Sequence, residues 1–162
     1  MKLHRAAVAG SVFASSACLI GTLAGPGLAA AQTFSDRQTQ HVAGDVFNCK
    51  SGDLTVTSGT ITINVHGVQD GNKVFHITGT VTPNNVHLTD GTHNYTLSGA
   101  EWFGGKSLDA NGNMTIVSTE TDHFVIRKAG GGLFATVRLV EHWSATHHSF
   151  SFNRGSCTPP QG

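Results

Sequence analysis

Apolar and polar residues alternate with a period of two through most of the chain beyond residue 50. The clearest example is Thr60–His66, in which Ile61, Ile63 and Val65 occupy the odd positions. Such alternation is typical of strands that bury one face. No window after Cys49 repeats at helical spacing for three turns, so the pattern predicts an all-β fold.

A turn cluster at Gln69–Asn72 joins this strand to a second one, Val74–Val81, whose apolar residues are also odd-numbered. The two apolar faces coincide only if paired residue numbers have an even sum. This predicts a loop with an odd number of residues and with Gly71 in the left-handed conformation. The same register places His66 and His76 on one face of the hairpin.

A second hairpin is predicted around Asp90–Gly91. Apolar residues are even-numbered before this dipeptide and odd-numbered after it. A two-residue turn therefore brings both sets to one face and places Val86 opposite Tyr95. In that register His93 also lies on the apolar face.

Five further strands follow from the same alternation. They are Leu54–Thr57, Met114–Ser118, His123–Arg127, Leu133–Trp143 and Ser149–Asn153. The pattern thus predicts about eight or nine antiparallel strands joined by short hairpins. Because an antiparallel sheet of that size must protect its edges, we expect a small closed barrel, with a two-sheet sandwich as the alternative.

The first 31 residues follow a different pattern. Lys2 and Arg5 precede a stretch of small and apolar residues, and Ala29–Ala31 resembles a cleavage site. This order predicts a secretory signal peptide at 1–31, and glycine, serine and proline make the stretch less apolar than a membrane span. The mature protein is then extracellular and has no membrane span. Residues 32–46 are polar and aperiodic, which predicts a flexible leader, followed by a β domain at 47–158 and a tail at 159–162.

Removal of the signal peptide changes both the cysteine count and the charge. Cys18 is lost, and Cys49 and Cys157 remain near the two ends of the domain. In an oxidising compartment this predicts one disulfide, with two free thiols as the alternative. Eight basic residues then face ten acidic ones, and a weakly acidic protein has no electrostatic attraction to nucleic acid or anionic membranes.

Histidines are unusually frequent in the predicted mature chain. There are nine: His41, His66, His76, His87, His93, His123, His142, His147 and His148. Histidine is a common metal ligand, and His66 and His76 are candidates for a shared Zn²⁺ or Cu²⁺. Two ligands do not make a site, however, and the threonines around them are typical of a solvated face. No metal site and no cofactor are therefore predicted.

One stretch combines a carboxylate with two aromatic rings, in the order Glu101, Trp102 and Phe103, followed by two glycines. It predicts a loop at the mouth of the barrel. Burial of Glu101 by those rings would raise its pKa, and we take Glu101 and His93 as candidate acid or base residues. Trp102, Phe103 and Tyr95 are candidate binding residues, and packing against the core is the alternative role for the rings.

The general make-up of the chain gives one further indication. It combines an Ala/Gly-rich signal sequence and two cysteines near the ends of a short β domain with the segments Leu54–Gly59, His76–Pro83 and Trp102–Gly105. In these features it resembles the small secreted all-β proteins of high-GC Gram-positive bacteria, whose roles are uncharacterised. The resemblance implies a bacterial, exported β domain and assigns no functional residue.

These observations lead to three hypotheses for function. The first is a secreted, non-catalytic binding domain for a small apolar ligand or a cell-surface partner. The second is a small barrel enzyme of the isomerase or cyclase type, which positions an apolar substrate beside Glu101 and His93. The third is a histidine-based metal binder. We favour the first because no serine lies in a G-x-S-x-G elbow and no other catalytic motif is assembled.

Overall fold

The computed structural model describes residues 31–111, 113–146 and 150–160. They form nine strands: β1 Gln32–His41, β2 Val46–Cys49, β3 Leu54–Gln69, β4 Phe75–Thr89, β5 Asn94–Ser107, β6 Thr115–Lys128, β7 Leu133–Ser144, β8 Phe150–Asn153 and β9 Cys157–Thr158. The prediction of an all-β fold is confirmed. None of the described segments is a helix long and apolar enough to cross a membrane. The predicted signal peptide, apart from Ala31, lies outside the described residues, as do His147 and His148.

Seven of the strands close into a barrel. Their order is β3-β2-β9-β7-β6-β5-β4, and the pairing of β4 with β3 completes the ring. The two remaining strands, β1 and β8, pair with β3 and β7. All pairs are antiparallel except β7 with β9, where Val137 lies opposite Cys157. The barrel prediction is confirmed, and this parallel pair corrects the expectation of a purely antiparallel one.

The barrel has two halves that differ in how the ring is completed. In the closed half, β2 and β9 bridge β3 and β7. In the open half, β3 pairs with β1 and β7 pairs with β8, and the described residues show no pairing between β1 and β8. The closed half contains the larger apolar core, which includes Leu54, Leu88, Ile126 and Val137. A smaller core around Ile63 fills part of the open half.

A disulfide between Cys49 and Cys157 fastens the closed half, as the sequence predicted. The two cysteines are directly opposite each other in the β2–β9 pair, and their Cα atoms are 3.9 Å apart. This bond joins residues that are 108 positions apart in the chain. It therefore ties the two short strands that complete the ring.

The segment predicted to be a flexible leader forms β1. Ten residue pairs align it with β3, from Gln32 opposite Gln69 to His41 opposite Thr60. The ring of Phe34 lies against the backbone of Gly67, where a Cβ atom would collide with it. Because Gly67 has no side chain, the Phe34 ring packs directly against its backbone, and this contact helps to hold β1 on the sheet.

The first hairpin confirms the predicted parity but not the predicted turn. Gln69 pairs with Phe75, so the loop has five residues, and His66 and His76 do share a face. The left-handed residue is Lys73, with φ of 64°, rather than Gly71. Asp70 accounts for this difference, because its carboxylate accepts hydrogen bonds from the backbone of Asn72 and Val74.

The second hairpin is shifted by two residues from the prediction. Leu88, not Val86, lies opposite Tyr95, and four residues, 90–93, form the loop. Asp90 again holds the turn by accepting backbone hydrogen bonds from Thr92 and His93. The expected two-residue turn was therefore wrong, although the buried face of each strand was predicted correctly.

Candidate functional site

Strand register brings four acidic side chains together on the inner face of the open half. Glu101 of β5 pairs with Asp122 of β6, and Glu120 of β6 pairs with Glu141 of β7. Inner-face residues are odd-numbered in β5 and β7 and even-numbered in β6, as the buried Tyr95, Ile126 and Val137 show. The chain has only three glutamates, and all three lie in this group.

Three of these residues form a compact group, which we call the carboxylate cluster: Glu101, Glu120 and Asp122. One carboxylate oxygen from each lies within 4.8 Å of the others. Asp122 is the most buried, with 3% of its surface exposed, and neither of its carboxylate oxygens has a hydrogen-bond partner among the described residues. Glu141 borders the cluster and accepts a hydrogen bond of 2.9 Å from the Ser151 hydroxyl.

The surroundings of the cluster oppose its negative charge. Burial, followed by the charges of Glu120 and Asp122, raises the pKa of Glu101 to about 8. Burial, followed by the charges of Glu120 and Glu141, raises the pKa of Asp122 to about 7. The pKa of Glu120 is also raised, mainly by burial and then by the charge of Glu141. Desolvation and mutual repulsion thus act in the same direction on all three groups.

No positive charge offsets this group from the same face. In the described part of the open half, the strands place no lysine, arginine or histidine at an inner position. Lys106 and Arg138 belong to the neighbouring strands, but alternation directs both of them outward. A fifth carboxylate, Asp36, lies on the inner face of β1 and accepts a hydrogen bond from Gln38. The open half is therefore strongly acidic inside.

Aromatic side chains accompany the acids on the inner face. Phe103 follows Glu101 by two residues and its ring covers Gly79, where a Cβ atom would also lie only 2.6 Å from the Asn64 carbonyl oxygen. Trp143 follows Glu141 by two residues and is half-buried. Strand alternation places both rings next to the acids, so the inner face presents carboxylates flanked by aromatic surface.

The three candidate binding residues do not lie together. Phe103 faces inward beside Glu101, whereas Trp102 faces outward with 49% of its surface exposed. Tyr95 is buried in the core of the closed half, and its hydroxyl donates to Asp90 at 2.7 Å. The stretch that contains Glu101 and Trp102 is not a loop at the barrel mouth but the middle of β5. Only Phe103 remains in a position to contact a ligand beside the acids.

The two candidate acid or base residues are also far apart. His93 does not lie on the apolar face, because the four-residue turn leaves it exposed in the loop, with its Nδ1 3.2 Å from Asp90. Eight residues separate it from Glu101 along an extended strand, which corresponds to about 26 Å. Glu101 is inward and partly buried, as expected, but its neighbours are other carboxylates.

The two candidate metal-ligating histidines have separate partners. His66 pairs with Thr78 and His76 with Val68, so the two are diagonal neighbours on the outer face. The Nδ1 atom of His66 is 3.0 Å from the Ser35 hydroxyl, and the Nε2 atom of His76 is 2.9 Å from Asp70. Each ring is thus oriented by a different strand or loop residue.

Sequence reasoning missed Glu120, Asp122 and Glu141, although one signal was available. Asp122 and Glu120 continue the even-numbered face of Phe124 and Ile126, which is buried. The sequence pattern predicts two strands, Met114–Ser118 and His123–Arg127, and leaves the polar run 119–122 between them. A single strand, β6, spans that run, and its alternation places both acids inside.

Comparisons with known proteins give no relative for this chain. No protein-family model matches it, and no curated protein or solved structure is significantly similar to it. The role of the site is therefore inferred from its own residues.

Proposed function

We propose that this protein is a secreted, non-catalytic binding domain that takes a positively charged ligand into the open half of its barrel. One observation carries the proposal. The inner face of that half bears five carboxylates, Asp36, Glu101, Glu120, Asp122 and Glu141, and no described cationic side chain. Asp122 is buried, Asp36, Glu101 and Glu120 are half-buried and Glu141 is exposed. Carboxylates withdrawn from water are costly unless a cation, a proton or a set of hydrogen bonds offsets them.

The flanking aromatic rings support a cationic ligand rather than a neutral apolar one. A cation held over an aromatic face gains from the ring quadrupole, by roughly 0.5 to 2 kcal/mol. Phe103 and Trp143 lie at inner positions two residues from Glu101 and Glu141. A small organic cation thus meets both charge and aromatic surface in one place.

Secretion is supported by the Cys49–Cys157 disulfide, since such bonds persist mainly in oxidising compartments. The predicted signal sequence agrees with the same location. An extracellular binding domain also fits a barrel whose closed half is fastened by a disulfide and whose open half is lined by carboxylates and aromatic rings.

A barrel enzyme is the second candidate, and Glu101 is the observation that favours it. Its carboxyl group is inward, partly buried and next to the Phe103 ring, and its pKa of about 8 suits a general acid. His93 cannot assist it at the distance given above. No described contact favours the third hypothesis, a site built from histidines.

Calorimetric titration of the purified protein at pH 9, above the pKa of about 8 of Glu101, tests the proposed function. The probes are choline, spermidine and 3,3-dimethylbutan-1-ol, which is the neutral isostere of choline. We expect at least one cation to bind more tightly than the neutral isostere. Glu101→Gln should weaken spermidine binding about 10- to 100-fold, because a hydrogen bond from an ammonium group to a charged carboxylate contributes about 1.5 to 3 kcal/mol. Choline, whose quaternary ammonium has no N–H, should lose only the ionic attraction of that carboxylate.

Asp53→Asn is the matched control, because Asp53 is exposed in the loop before β3 and its loss makes the same change in net charge. The proposal is wrong if no cation, organic or metallic, binds better than the neutral isostere. It is equally wrong if the control variant weakens binding as much as Glu101→Gln does. Conversion of a bound probe into a product would favour the enzyme instead.

A further inference from the structure

The spacing of the carboxylate cluster matches the size of a single metal ion. Calcium binds oxygen ligands at about 2.3 to 2.6 Å, so two ligands on opposite sides of one ion are at most about 5 Å apart. The three ligand oxygens of Glu101, Glu120 and Asp122 all lie within 4.8 Å of one another. One ion placed between them could contact all three.

Asp122 gives an independent indication of a missing partner. Its carboxylate is almost fully buried, and no residue in the described part of the chain donates a hydrogen bond to either oxygen. Buried polar groups are nearly always satisfied in folded proteins, and an exception calls for an explanation such as a bound ion. Asp122 pairs with Glu101 in the strand register, and an oxygen of each lies within 4.8 Å of the other.

Charge favours a divalent cation over a monovalent one. Three carboxylates surround the position, and Glu141 adds a fourth negative charge at its border. We propose that Glu101, Glu120 and Asp122 form a calcium-binding site, an inference that rests on the proposed function and specifies the cation. Glu141 is not among the three mutually close carboxylates and contributes charge from the border, where its Oε1 accepts a hydrogen bond from Ser151.

The ligand type and number distinguish calcium from other divalent ions. All three ligands are carboxylates, which suit hard cations, whereas zinc usually takes histidine or cysteine as well. Magnesium requires a near-octahedral shell at about 2.0 to 2.1 Å and gives up its water reluctantly, so it usually binds through one or two carboxylates rather than three. Three carboxylates supply at most six oxygens, and water completes the shell from the exposed side of Glu101 and Glu120.

Titration of the chelator-treated protein with CaCl₂ alone, followed by calorimetry at pH 7.5, is the direct test. We expect one site per chain with a Kd of about 10⁻⁴ to 10⁻³ M, the range of extracellular calcium modules. Magnesium should bind at least tenfold more weakly. Equal or tighter binding of Mg²⁺ or Zn²⁺ would overturn the assignment to calcium.

Variants locate the site. Glu120→Gln and Asp122→Asn should each weaken calcium binding at least tenfold, whereas Asp53→Asn should change it less than twofold. Circular dichroism of each variant shows whether the barrel is folded. Should Asp122→Asn fail to fold, Glu120→Gln still decides the matter, since Glu120 is less buried.

Terbium luminescence provides a second readout that depends on position. Trp143 lies on the inner face of β7, two residues after Glu141, which is about 7 Å in an extended strand. It is therefore close enough to sensitise a bound Tb³⁺. Trp143→Phe should abolish most of the sensitised emission and leave the calcium affinity unchanged. Trp102→Phe, on the outer face, should retain the emission.

The outcomes separate this inference from the proposed function. If choline or spermidine binds and calcium does not, the calcium site is wrong and the cation-binding function survives. If neither calcium nor an organic cation binds, both are wrong. Calcium binding that persists in Glu120→Gln and Asp122→Asn would mean that the ion occupies another position, and it would also overturn the inference.

Discussion

At the scale of single residues, two aspartates illustrate opposite environments. Asp90 accepts hydrogen bonds from the backbone of His93, the hydroxyl of Tyr95 and the backbone of Thr92, which hold its pKa well below the usual range. Asp122 accepts none, and its pKa is raised. Asp90 therefore stabilises the loop at 90–93, whereas Asp122 is a buried carboxyl group to which no described residue donates a hydrogen bond.

Replacing Asp90 should expose its structural role through pH. A carboxylate whose pKa is lowered by folding stabilises the protein above its unfolded pKa, near 3.8, and that contribution is lost as the pH falls through the folded value. Asp90→Asn should therefore lower the melting temperature at pH 7, and the difference from the wild type should shrink below pH 3.8. Thermal unfolding followed by circular dichroism between pH 2 and 7 measures this.

Asp53→Asn again serves as the control and should leave the melting temperature nearly constant at every pH. A difference for Asp90→Asn that stays the same down to pH 2 would contradict the assigned role.

Asp90 also explains an error in the sequence prediction. An Asp-Gly dipeptide favours a two-residue turn, but the three hydrogen bonds to Asp90 stabilise a four-residue loop, and such side-chain contacts are invisible in an alternation pattern.

At the scale of strands, the predictions succeeded where the inner face is apolar and failed where it is polar. The alternation of Ile61, Ile63 and Val65 identified the middle of β3, but β3 also includes 54–57, which was predicted as a separate strand and is joined to it through register shifts around Ser58. Strand β1 has Asp36 and Gln38 on its inner face, and the middle of β6 has acids there, so neither showed the expected contrast. The fold class was therefore predictable. The site was not, because its inner-face acids interrupt the apolar and polar alternation from which strands are predicted.

The packing of the Phe34 ring against Gly67 leads to a prediction about the stability of β1. The three atoms nearest to a Cβ at residue 67 would all belong to the ring of Phe34, so Gly67→Ala should displace that ring and loosen β1 while the rest of β3 stays intact. Hydrogen exchange should become at least tenfold faster for the amides of 32–41 and remain unchanged in β5 and β6. Gly71→Ala is the control, because a Cβ there meets open space.

Phe34→Ala should give the same local increase in hydrogen exchange, since it removes the ring that packs against Gly67. If exchange in β1 is as slow in both variants as in the wild type, the ring does not anchor the strand. An increase that extends over the whole barrel would indicate that β1 is required for global stability.

At the scale of the whole molecule, the ring depends on two short strands. β2 and β9 pair through only two residue positions, at Asn48 and Cys49, and β9 meets β7 at one position. Two further backbone hydrogen bonds, from Lys50 to Ser156 and from Ser156 to Thr136, extend this join, which we call the seam. It remains short beside the other strand pairs of the barrel, such as β5 with β6. The disulfide supplies the constraint that the seam lacks.

Removing the disulfide should be among the most destabilising changes to this protein. For a closed loop of about 100 residues the chain-entropy model gives up to about 4 to 5 kcal/mol. Urea unfolding of Cys49→Ala/Cys157→Ala should show a loss approaching that value, and the wild type in a reducing agent should match it. The double variant should be insensitive to the reducing agent. A loss below about 1 kcal/mol would show that the seam holds without it.

The topology also imposes an order on folding. Strands β3 to β7 form a meander in which each strand pairs with its neighbour in the chain, whereas β2 meets β9 only after residue 157 has been placed. Contacts that are distant in sequence form late, because loop closure must precede them. The wall formed by β5, β6 and β7 is therefore expected to exist, with its acids facing solvent, before the ring closes. An ion present in the medium could then be enclosed during folding instead of having to enter a finished barrel.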